Sequence, residues 1–188
     1  MSRLDKVNFV VFNGPPESGK TTAANWLCTM LANKQLIVQK DSFAAPMKRY
    51  LTVALNMSYE DIKKDIPMAV LSGNTPRQFL ISESEDHMKP KYGPDIFGRL
   101  LHYRALRYQP LPNVIVVDDS GFVEELQSLG EYEPILVRIR RVGMTFERDS
   151  RSYLPNPAFE INNDGDLDWL HGAIGALSVQ IYNALTSK

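Results

Sequence analysis

Apolar and polar residues follow two patterns along the chain. Short, mostly apolar runs rich in valine, isoleucine and phenylalanine are typical of buried strands. Longer segments with apolar residues three or four positions apart are typical of helices that bury one face. The short runs predict strands at residues 7–13, 35–39, 114–117, 135–139 and 159–161. The helical spacing predicts helices at residues 20–33, 42–56, 76–89, 95–108, 122–129 and 166–185.

Strands and helices alternate from one end of the chain to the other, which predicts an α/β fold. The segments between strands are long enough for crossovers, so we expect a parallel sheet with helices on both faces. The 188 residues suit one domain, and 44% hydrophobic content is enough for a core without disulfides. We therefore expect a single domain over residues 1–188, a three-layer sandwich around a parallel five-stranded sheet.

The charge balance and the cysteine content exclude several protein classes. The 21 Lys and Arg residues against 22 Asp and Glu residues disfavour a stable nucleic-acid partner held by a broad basic field. Cys28 is the single cysteine, so no intrachain disulfide can form and no zinc pattern arises with the histidines. No apolar run approaches the roughly 18 residues of a membrane helix, and no export signal pattern is found. We expect a cytoplasmic protein without a membrane partner, and a homodimer is compatible with the sequence.

Residues 14–21, GPPESGKT, match the phosphate-binding pattern G-x-x-x-x-G-K-[ST] in full. The match lies between a predicted buried strand and a predicted amphipathic helix. Two glycines let the backbone curl so that successive N–H groups and the helix start face a phosphate. The loop therefore predicts ATP binding, and Asn162, after the last strand, is expected to border the adenine, with a simple turn as the alternative. The predicted ATP ligands are Gly14, Glu17, Ser18, Gly19, Lys20, Thr21, Thr22 and Asn162.

A bound nucleoside triphosphate brings Mg²⁺, which takes oxygen ligands. The Thr21 hydroxyl is one predicted ligand. Asp118 and Asp119 follow the most strand-like run of the chain, and one of them is expected to orient a metal-bound water. We favour Thr21 with Asp119 as the pair that organises the metal, and Asp118 is the other choice. An aspartate that only caps the next helix is the alternative.

Other nucleotide-binding signatures are missing, which narrows the class of protein. GTP-binding switches read the base with N-K-x-D after a later strand, whereas Asn33-Lys34 lacks the aspartate and lies too early. The chain is also short for a motor ATPase. A small phosphotransferase is the class that these exclusions leave.

Four further segments resemble phage-type deoxynucleoside monophosphate kinases. Residues 40–48, KDSFAAPMK, resemble the family's S-F-A-x-P-[LM]-K segment, and residues 75–80, TPRQFL, resemble its T-P-R-x-x-L helix start. Residues 117–125, VDDSGFVEE, are similar to D-x-R-F-x-x-E, and residues 161–167, INNDGDL, to I-x-N-x-G-x-L. Gly121 stands where the family often has arginine, and residues 149–152 match its D-x-H-x-S-E lid segment only in part.

The resemblance implies a P-loop NTPase fold with a helical acceptor-binding region at residues 72–109 and a small lid at residues 141–156. It implies Mg²⁺-dependent phosphorylation of deoxynucleoside monophosphates (dNMPs) by ATP, in the host cytoplasm if the protein is encoded by a phage. The alternatives are a kinase for another small acceptor, such as a nucleoside or a coenzyme precursor, and a nucleotide-binding regulatory module.

Transfer of a phosphoryl group between two anions needs clustered cations. Arginines are concentrated in the loop before Pro155, and we expect this loop to close over the phosphates. A solvated basic loop, paired with its own acidic residues, is the alternative for each arginine. The predicted catalytic residues are Lys20, Arg77, Arg141, Arg148 and Arg151.

The acceptor nucleotide is expected beside the second strand. Arg77, in the TPRQFL segment, is the principal choice for its phosphate because a bidentate arginine suits a dianion, and Lys48 is the second choice. Asp41 is assigned to the sugar or to Mg²⁺, and Ser42 lies beside it in the substrate site, with helix capping as the alternative for both. Phe43 is assigned to stacking on the base, with burial in the core as its alternative.

Overall fold

The computed structural model describes residues 7–147 and 149–186. Within these residues the strands are β1 (Asn8–Asn13), β2 (Val38–Asp41), β3 (Val114–Ser120), β4 (Ile135–Arg140) and β5 (Phe159–Asn162). They form one parallel sheet in the order β2-β3-β1-β4-β5. The predicted α/β fold with a parallel five-stranded sheet is therefore confirmed.

Helices cover both faces of this sheet. They are α1 (Lys20–Ala32), α2 (Ala45–Leu55), α3 (Pro76–Ser82), α4 (Lys89–Tyr92), α5 (Ile96–Ala105), α6 (Val123–Gln127) and α7 (Leu167–Thr186). A π-helical segment, Glu83–Met88, joins α3 to α4. Among the described residues, no helix combines the length and the apolar character that crossing a membrane requires.

Alternation along β3 creates two apolar layers. Val114 and Val116 pack in the layer that contains apolar residues of α1 and α7. Ile115 and Val117 pack in the opposite layer, which contains apolar residues of α5. Every residue of β1 is buried, as expected for the central strand of a sheet covered on both faces. The loop that follows β1 is therefore fixed at the middle of the sheet.

Local signals predicted the start of α3 correctly. Thr75 accepts a hydrogen bond from the Gln78 backbone N–H at 3.1 Å, and the Gln78 side chain accepts from the Thr75 N–H at 2.9 Å. This is a capping box, and Pro76 occupies the first helical position. The helix boundary depends on neighbouring residues only, which is why the sequence reveals it.

Three predicted boundaries are wrong. β2 begins at Val38 rather than at residue 35, because Leu36 donates its N–H to Leu31 and completes the turn that closes α1. β3 continues to Ser120, so both aspartates lie inside the strand. The break expected at residues 90–94 falls at Gly93, whose φ is 98°, because Pro90 is accommodated in the first turn of α4.

Candidate functional site

The glycine-rich segment forms a tight loop between β1 and α1. Gly19 has a φ of 97° and immediately precedes the helix. A Cβ atom at Gly14 would lie 2.4 Å from the carbonyl oxygen of Ile139, and one at Gly19 would lie 2.5 Å from Nδ2 of Asn163. Neither position has room for a side chain, so the close packing of the loop requires both glycines. A curled backbone followed by a helix N-terminus is a cradle of the kind that binds phosphate.

Lys20 extends back over this loop. Its Nζ donates to the carbonyl oxygen of Pro15 at 2.5 Å and to Oγ of Ser18 at 3.5 Å. Burial, together with the charge of Arg151, lowers the pKa of Lys20 to about 8, and the charge of Asp118 opposes this effect. Among the described residues no carboxylate forms an ion pair with the ammonium group. A phosphate would supply the anionic partner that this buried cation lacks.

Contacts from the segments after β4 and β5 hold the loop. Asn163 is 5% exposed and donates from Nδ2 to the carbonyl oxygen of Ser18 at 2.9 Å. Arg141 donates from Nη1 to the carbonyl oxygen of Glu17 at 3.3 Å. Thr21 and Thr22 follow in the first turn of α1. The predicted ATP ligands at positions 14 to 22 thus lie together in the loop and in the first turn of α1.

A cavity of about 700 Å³ opens between the ends of β4 and β5. Arg141, Phe146, Tyr153 and Asn162 contribute to its lining. Its volume lies in the range of small-molecule sites, and it is large enough for a nucleotide base. Asn162, predicted to border adenine, lies in this cavity, whereas its neighbour Asn163 contacts the loop instead.

Asp118 lies at a β-bulge inside β3. Between the pairs Val11–Val117 and Asn13–Ser120, β3 advances by three residues while β1 advances by two. Asp118 forms an ion pair with Lys40 at 3.0 Å, and its side chain is 9% exposed. It is also the acidic residue with the largest effect on the pKa of Lys20. Of the two aspartates, Asp118 therefore has the larger electrostatic effect on the phosphate loop.

Asp119 is occupied by a different segment. Its carboxylate accepts hydrogen bonds from the backbone N–H groups of Phe43 at 2.8 Å and Ala44 at 3.1 Å. It also lies 3.4 Å from Nζ of Lys48. Asp119 thus holds the start of α2 in place, and its role as the metal residue stays a prediction. The helix whose start it contacts is not the next helix along the chain, which is the alternative that the sequence allows for an aspartate at this position.

The assignment of Asp41 to substrate or metal is wrong. Its Oδ1 accepts from the Ser42 N–H at 2.7 Å and from Nη2 of Arg104 at 3.0 Å. Its Oδ2 accepts from Nε of Arg104 at 3.0 Å and from the Tyr108 hydroxyl at 2.7 Å. Four donors saturate a carboxylate. Asp41 therefore ties β2 to α5 and has no acceptor site left for a sugar or for Mg²⁺.

Phe43 and Ser42 have different surroundings from those predicted. Phe43 is 2% exposed and belongs to the apolar layer that also contains Val117, so its assignment to stacking on a base is wrong. Ser42 accepts a hydrogen bond from Nζ of Lys48 at 3.2 Å. Burial alone would lower the pKa of Lys48, but the charges of Asp119 and Asp118 outweigh it, so this pKa lies above its usual value. Lys48 is therefore a fixed, fully charged cation.

Arg77 lies in the first turn of α3, with 47% of its side chain exposed. Its Nε and Nη2 donate to the two carboxylate oxygens of Asp65 at 2.6 and 3.4 Å. An exposed pair of this kind contributes little to stability, so a phosphate dianion can compete for the same guanidinium edge.

The predicted lid arginines have distinct positions. Arg141 contacts the phosphate loop, as described above. Arg151 forms a bidentate pair with Asp149, and the charge of its guanidinium acts on Lys20. Arg148 lies outside the described residues. Arg138 and Arg140 of β4 pair with Glu160 of β5 at 3.0 and 2.7 Å and stabilise the edge of the sheet.

Sequence reasoning missed a buried carboxyl group near the acceptor side. Glu125 on α6 is 3% exposed, and its nearest cation is Lys89, with Oε1 and Nζ separated by 3.9 Å. Burial raises the pKa of Glu125 to about 8 against the opposing charge of Lys89, and the charge of Asp119 adds to this shift. Glu125 ends the VDDSGFVEE segment, but nothing in that segment distinguishes it from the exposed Glu124 beside it.

No model of a known protein family matches the chain. Adenylate kinase 8 of Mus musculus is 42% identical over 67 residues, which are 36% of this chain and 13% of that protein. The chain therefore matches only a small part of this relative's length, and the similarity by itself does not establish a family.

Solved structures resemble the chain over almost its whole length. The APS kinase CysC of Mycobacterium tuberculosis in complex with AMPPNP and APS has a TM-score of 0.51 and 15% identity, with 97% of this chain and 99% of that chain covered. A cysteine-to-alanine mutant of the same kinase has a TM-score of 0.50 and 15% identity, with 93% and 98% covered. The protein APE1195 has a TM-score of 0.57 and 15% identity, with 96% and 97% covered. At this identity the likeness establishes the fold, which is the α/β fold of P-loop NTPases.

Proposed function

We propose that this protein is an ATP-dependent phosphotransferase that phosphorylates nucleoside monophosphates, with dNMPs as the substrate class. One observation carries the proposal. Lys20 lies over the phosphate loop after β1, Lys48 lies 3.4 Å from Asp119 near the end of β3, and the stem of Arg151 lies against Gly121, directly after β3. Cations from three separate segments therefore lie at the carboxyl ends of the strands, where open α/β sheets bind their ligands.

ATP is the phosphoryl donor in this proposal. The backbone cradle and the buried ammonium group of Lys20 suit the β- and γ-phosphates, and the cavity lined by Arg141 and Asn162 suits the base. A structural neighbour with the same fold, the APS kinase CysC, is a complex with the ATP analogue AMPPNP. The short match to adenylate kinase 8 agrees with a nucleotide kinase.

The donor set of the loop fits Mg²⁺. Thr21 is exposed at the first turn of α1, and Asp118 offers a carboxylate near Lys20. Within the described part of the chain, no three His, Cys, Asp or Glu residues form a metal site of their own. A site with few protein ligands suits Mg²⁺, which binds through one or two protein groups together with waters and substrate phosphates. When bound, Mg²⁺ neutralises charge on the β- and γ-phosphates.

A phosphate acceptor suits this site better than a hydroxyl acceptor. A hydroxyl acceptor requires a general base, usually a carboxylate or a histidine. The described aspartates around Lys20 are engaged: Asp118 with Lys40, Asp119 with the start of α2 and Asp149 with Arg151. A monophosphate needs no base because it is already anionic at neutral pH. Its charge would instead match the guanidinium edge of Arg77 and the ammonium group of Lys48.

The choice of dNMPs within the monophosphates rests on the resemblance of the four segments. In this proposal α3, α4 and α5, within residues 72–109, form the acceptor-binding region, and residues 141–156 form the lid. Lys48 and Arg77 hold the acceptor phosphate, each from a segment that resembles the family. Ser42 lies within hydrogen-bonding distance of Lys48 and completes the same side of the site.

The reaction follows from these positions. An oxygen of the acceptor phosphate attacks the γ-phosphorus of ATP, the bond from that phosphorus to the β,γ-bridging oxygen breaks, and ADP leaves. Lys20 and the loop N–H groups hold the β- and γ-phosphates, and Arg151 stabilises charge on the transferred group. The residues act by positioning and by neutralising charge, which is how most phosphoryl transfer is catalysed.

The test is ADP formation by the full chain with ATP, Mg²⁺ and a panel of acceptors. The panel contains the four dNMPs, the corresponding ribonucleotides, nucleosides and adenylyl sulfate. Lys20→Ala should lose at least about 100-fold in kcat, because a principal phosphate contact is removed. Lys34→Ala, at the opposite end of α1, is the matched control and should retain activity.

Each outcome separates the proposal from its alternatives. Preferred turnover of dNMPs supports the proposal. Turnover of nucleosides or adenylyl sulfate alone would mean a kinase for another small acceptor. ATP binding without stimulation by any acceptor would favour a nucleotide-binding regulatory module. Equal activity of the Lys20→Ala and wild-type proteins would contradict the role of the loop.

A further inference from the structure

Gly121, directly after β3, is covered by the side chain of Arg151. A Cβ atom built at Gly121 would lie 2.4 Å from both Cβ and Cγ of Arg151 and 2.6 Å from its Cδ. Distances below 3.0 Å are not found for real Cβ contacts. The aliphatic part of Arg151 therefore occupies the space that any larger residue at position 121 would need. The Ser152 N–H donates to the carbonyl oxygen of Gly121 at 3.0 Å and fixes the next residue on the same spot.

A single asparagine anchors the segment that follows Arg151. Asn13, the last residue of β1, is fully buried. Its Nδ2 donates to the carbonyl oxygens of Ser120 at 3.1 Å and Ser152 at 2.9 Å, and its Oδ1 accepts from the Leu154 N–H at 2.9 Å. The backbone beside Arg151 is thus tied to the strand that carries the phosphate loop, and the arginine stem has a fixed origin.

Asp149 fixes the orientation of the guanidinium group. Its Oδ1 accepts from Nε of Arg151 at 2.9 Å and from the Arg151 backbone N–H at 3.0 Å, and its Oδ2 accepts from Nη2 at 2.6 Å. Within residues 7–147 and 149–186, Nη1 of Arg151 donates to no protein acceptor. A guanidinium group has five N–H donors in a rigid plane. The pairing with Asp149 uses the Nε–Nη2 edge and leaves the Nη1 hydrogens for a further acceptor.

We propose that Gly121 and Asp149 are positioning residues that hold the Nη1 edge of Arg151 against the γ-phosphoryl group of ATP. Gly121 provides the surface on which the arginine stem lies, and Asp149 sets the rotation of the guanidinium plane. The inference rests on the proposed function and adds to it the two residues that orient this cation. Gly121 stands where the family that the sequence resembles often has an arginine. In this chain the side chain of Arg151, from another segment, occupies the space beside Gly121 and supplies the cation there.

The test is a double-mutant cycle on the full chain. Gly121→Ala should push the Arg151 stem aside and lower kcat about 100-fold, as expected for a displacement of about 1 Å at the reacting group. Arg151→Gly is the partner variant, because alanine would keep the Cβ atom that lies 2.4 Å from the new methyl group. Arg151→Gly should lower kcat at least as much, and Gly121→Ala/Arg151→Gly should equal Arg151→Gly alone. Asp149→Asn should lower kcat about tenfold, and again not further when Arg151 is already glycine. The KM for ATP should change little in each case, because the interaction is strongest in the transition state.

Gly130→Ala is the matched control, since a Cβ atom there would meet nothing within 4 Å. Thermal unfolding of each variant shows whether it is folded, and the Asp149 cycle carries the test if Gly121→Ala does not fold. A loss from Gly121→Ala or Asp149→Asn that persists in the Arg151→Gly background would overturn the proposal, because the residue would then act on the fold and not through Arg151.

Calorimetry separates this inference from the proposed function. If the wild-type protein phosphorylates no acceptor, the proposed function fails. The double-mutant cycle then uses a binding measurement in place of kcat, namely the affinity for ATP divided by the affinity for ADP. Arg151 near the γ-phosphate predicts that Gly121→Ala, Asp149→Asn and Arg151→Gly each lower this ratio, with no further loss in the double variants. An unchanged ratio in Arg151→Gly would overturn the placement of the guanidinium group beside the γ-phosphate.

Discussion

Replacing the buried carboxyl group of Glu125 by an amide should make the protein more stable, and increasingly so as the pH rises. In the folded protein, burial and the charges of Asp119 and Glu85 raise the pKa of Glu125 from 4.5 to about 8, although Lys89 and Arg151 oppose this effect. The folded protein therefore keeps a proton on this group in a pH range where the unfolded chain has released it. Raising the pH from 4.5 to 8 consequently favours the unfolded state.

The size of the effect follows from the same two pKa values. Ionising Glu125 in the folded protein costs about 5 kcal/mol more than ionising it in the unfolded chain. Between pH 5 and pH 8 the wild-type protein should therefore lose about 3–4 kcal/mol of stability that Glu125→Gln does not lose. For a chain of this length, that difference corresponds to a change in Tm of about 10 °C.

Urea unfolding of the wild-type protein and of Glu125→Gln at pH 5, 6, 7 and 8 measures this difference directly. Comparing the two proteins at each pH cancels the contributions of all other titrating groups. Glu124→Gln is the control, because it removes one negative charge from the exposed position next to Glu125. Lys89 keeps its partner Glu85 at 2.9 Å in the variant, so no cation is stranded. Parallel pH profiles for wild type and Glu125→Gln would refute the argument.

Further predictions concern the phosphate loop and the core. With a pKa of about 8 for Lys20, ATP affinity should fall about tenfold between pH 7 and pH 9 in calorimetry, since the neutral amine cannot pair with phosphate; a flat profile would contradict this. Asn163→Ala leaves the buried carbonyl oxygen of Ser18 without its hydrogen-bond donor. The free energy of unfolding in urea should therefore fall by about 1–3 kcal/mol, and ATP binding should weaken. Arg104→Met leaves the carboxylate of Asp41 buried without its cation and should cost about 3–5 kcal/mol, with ATP affinity unchanged in the folded fraction. A change of less than 1 kcal/mol would mean that water replaces the arginine.

The phosphate loop and the order of elements could be predicted because both are encoded by residues close together in the chain. The loop needs eight consecutive residues between a strand and a helix, and the capping box of Thr75 needs four. Parallel pairing follows from the lengths of the connections alone. These features do not depend on which distant segments come together.

The surroundings of Asp41 and of the two aspartates in β3 could not be predicted for the opposite reason. Asp41 is saturated by Arg104, 63 positions later, and Asp119 binds backbone N–H groups 75 and 76 positions earlier. Which of Asp118 and Asp119 lies beside Lys20 depends on a bulge in β3 that has no local signature. Asn162 and Asn163 present the same difficulty, because the end of β5 decides which amide reaches the loop.

The central position of β1 divides the binding edge of the sheet into two halves. β4 and β5, with the cavity lined by Arg141 and Asn162, lie on one side of this strand, whereas β2 and β3, with Lys48 and the connection to α3, lie on the other. In the proposed function the two substrates would therefore meet above β1 from opposite directions, and residues 42–109 could be exchanged to test acceptor choice without altering the cavity.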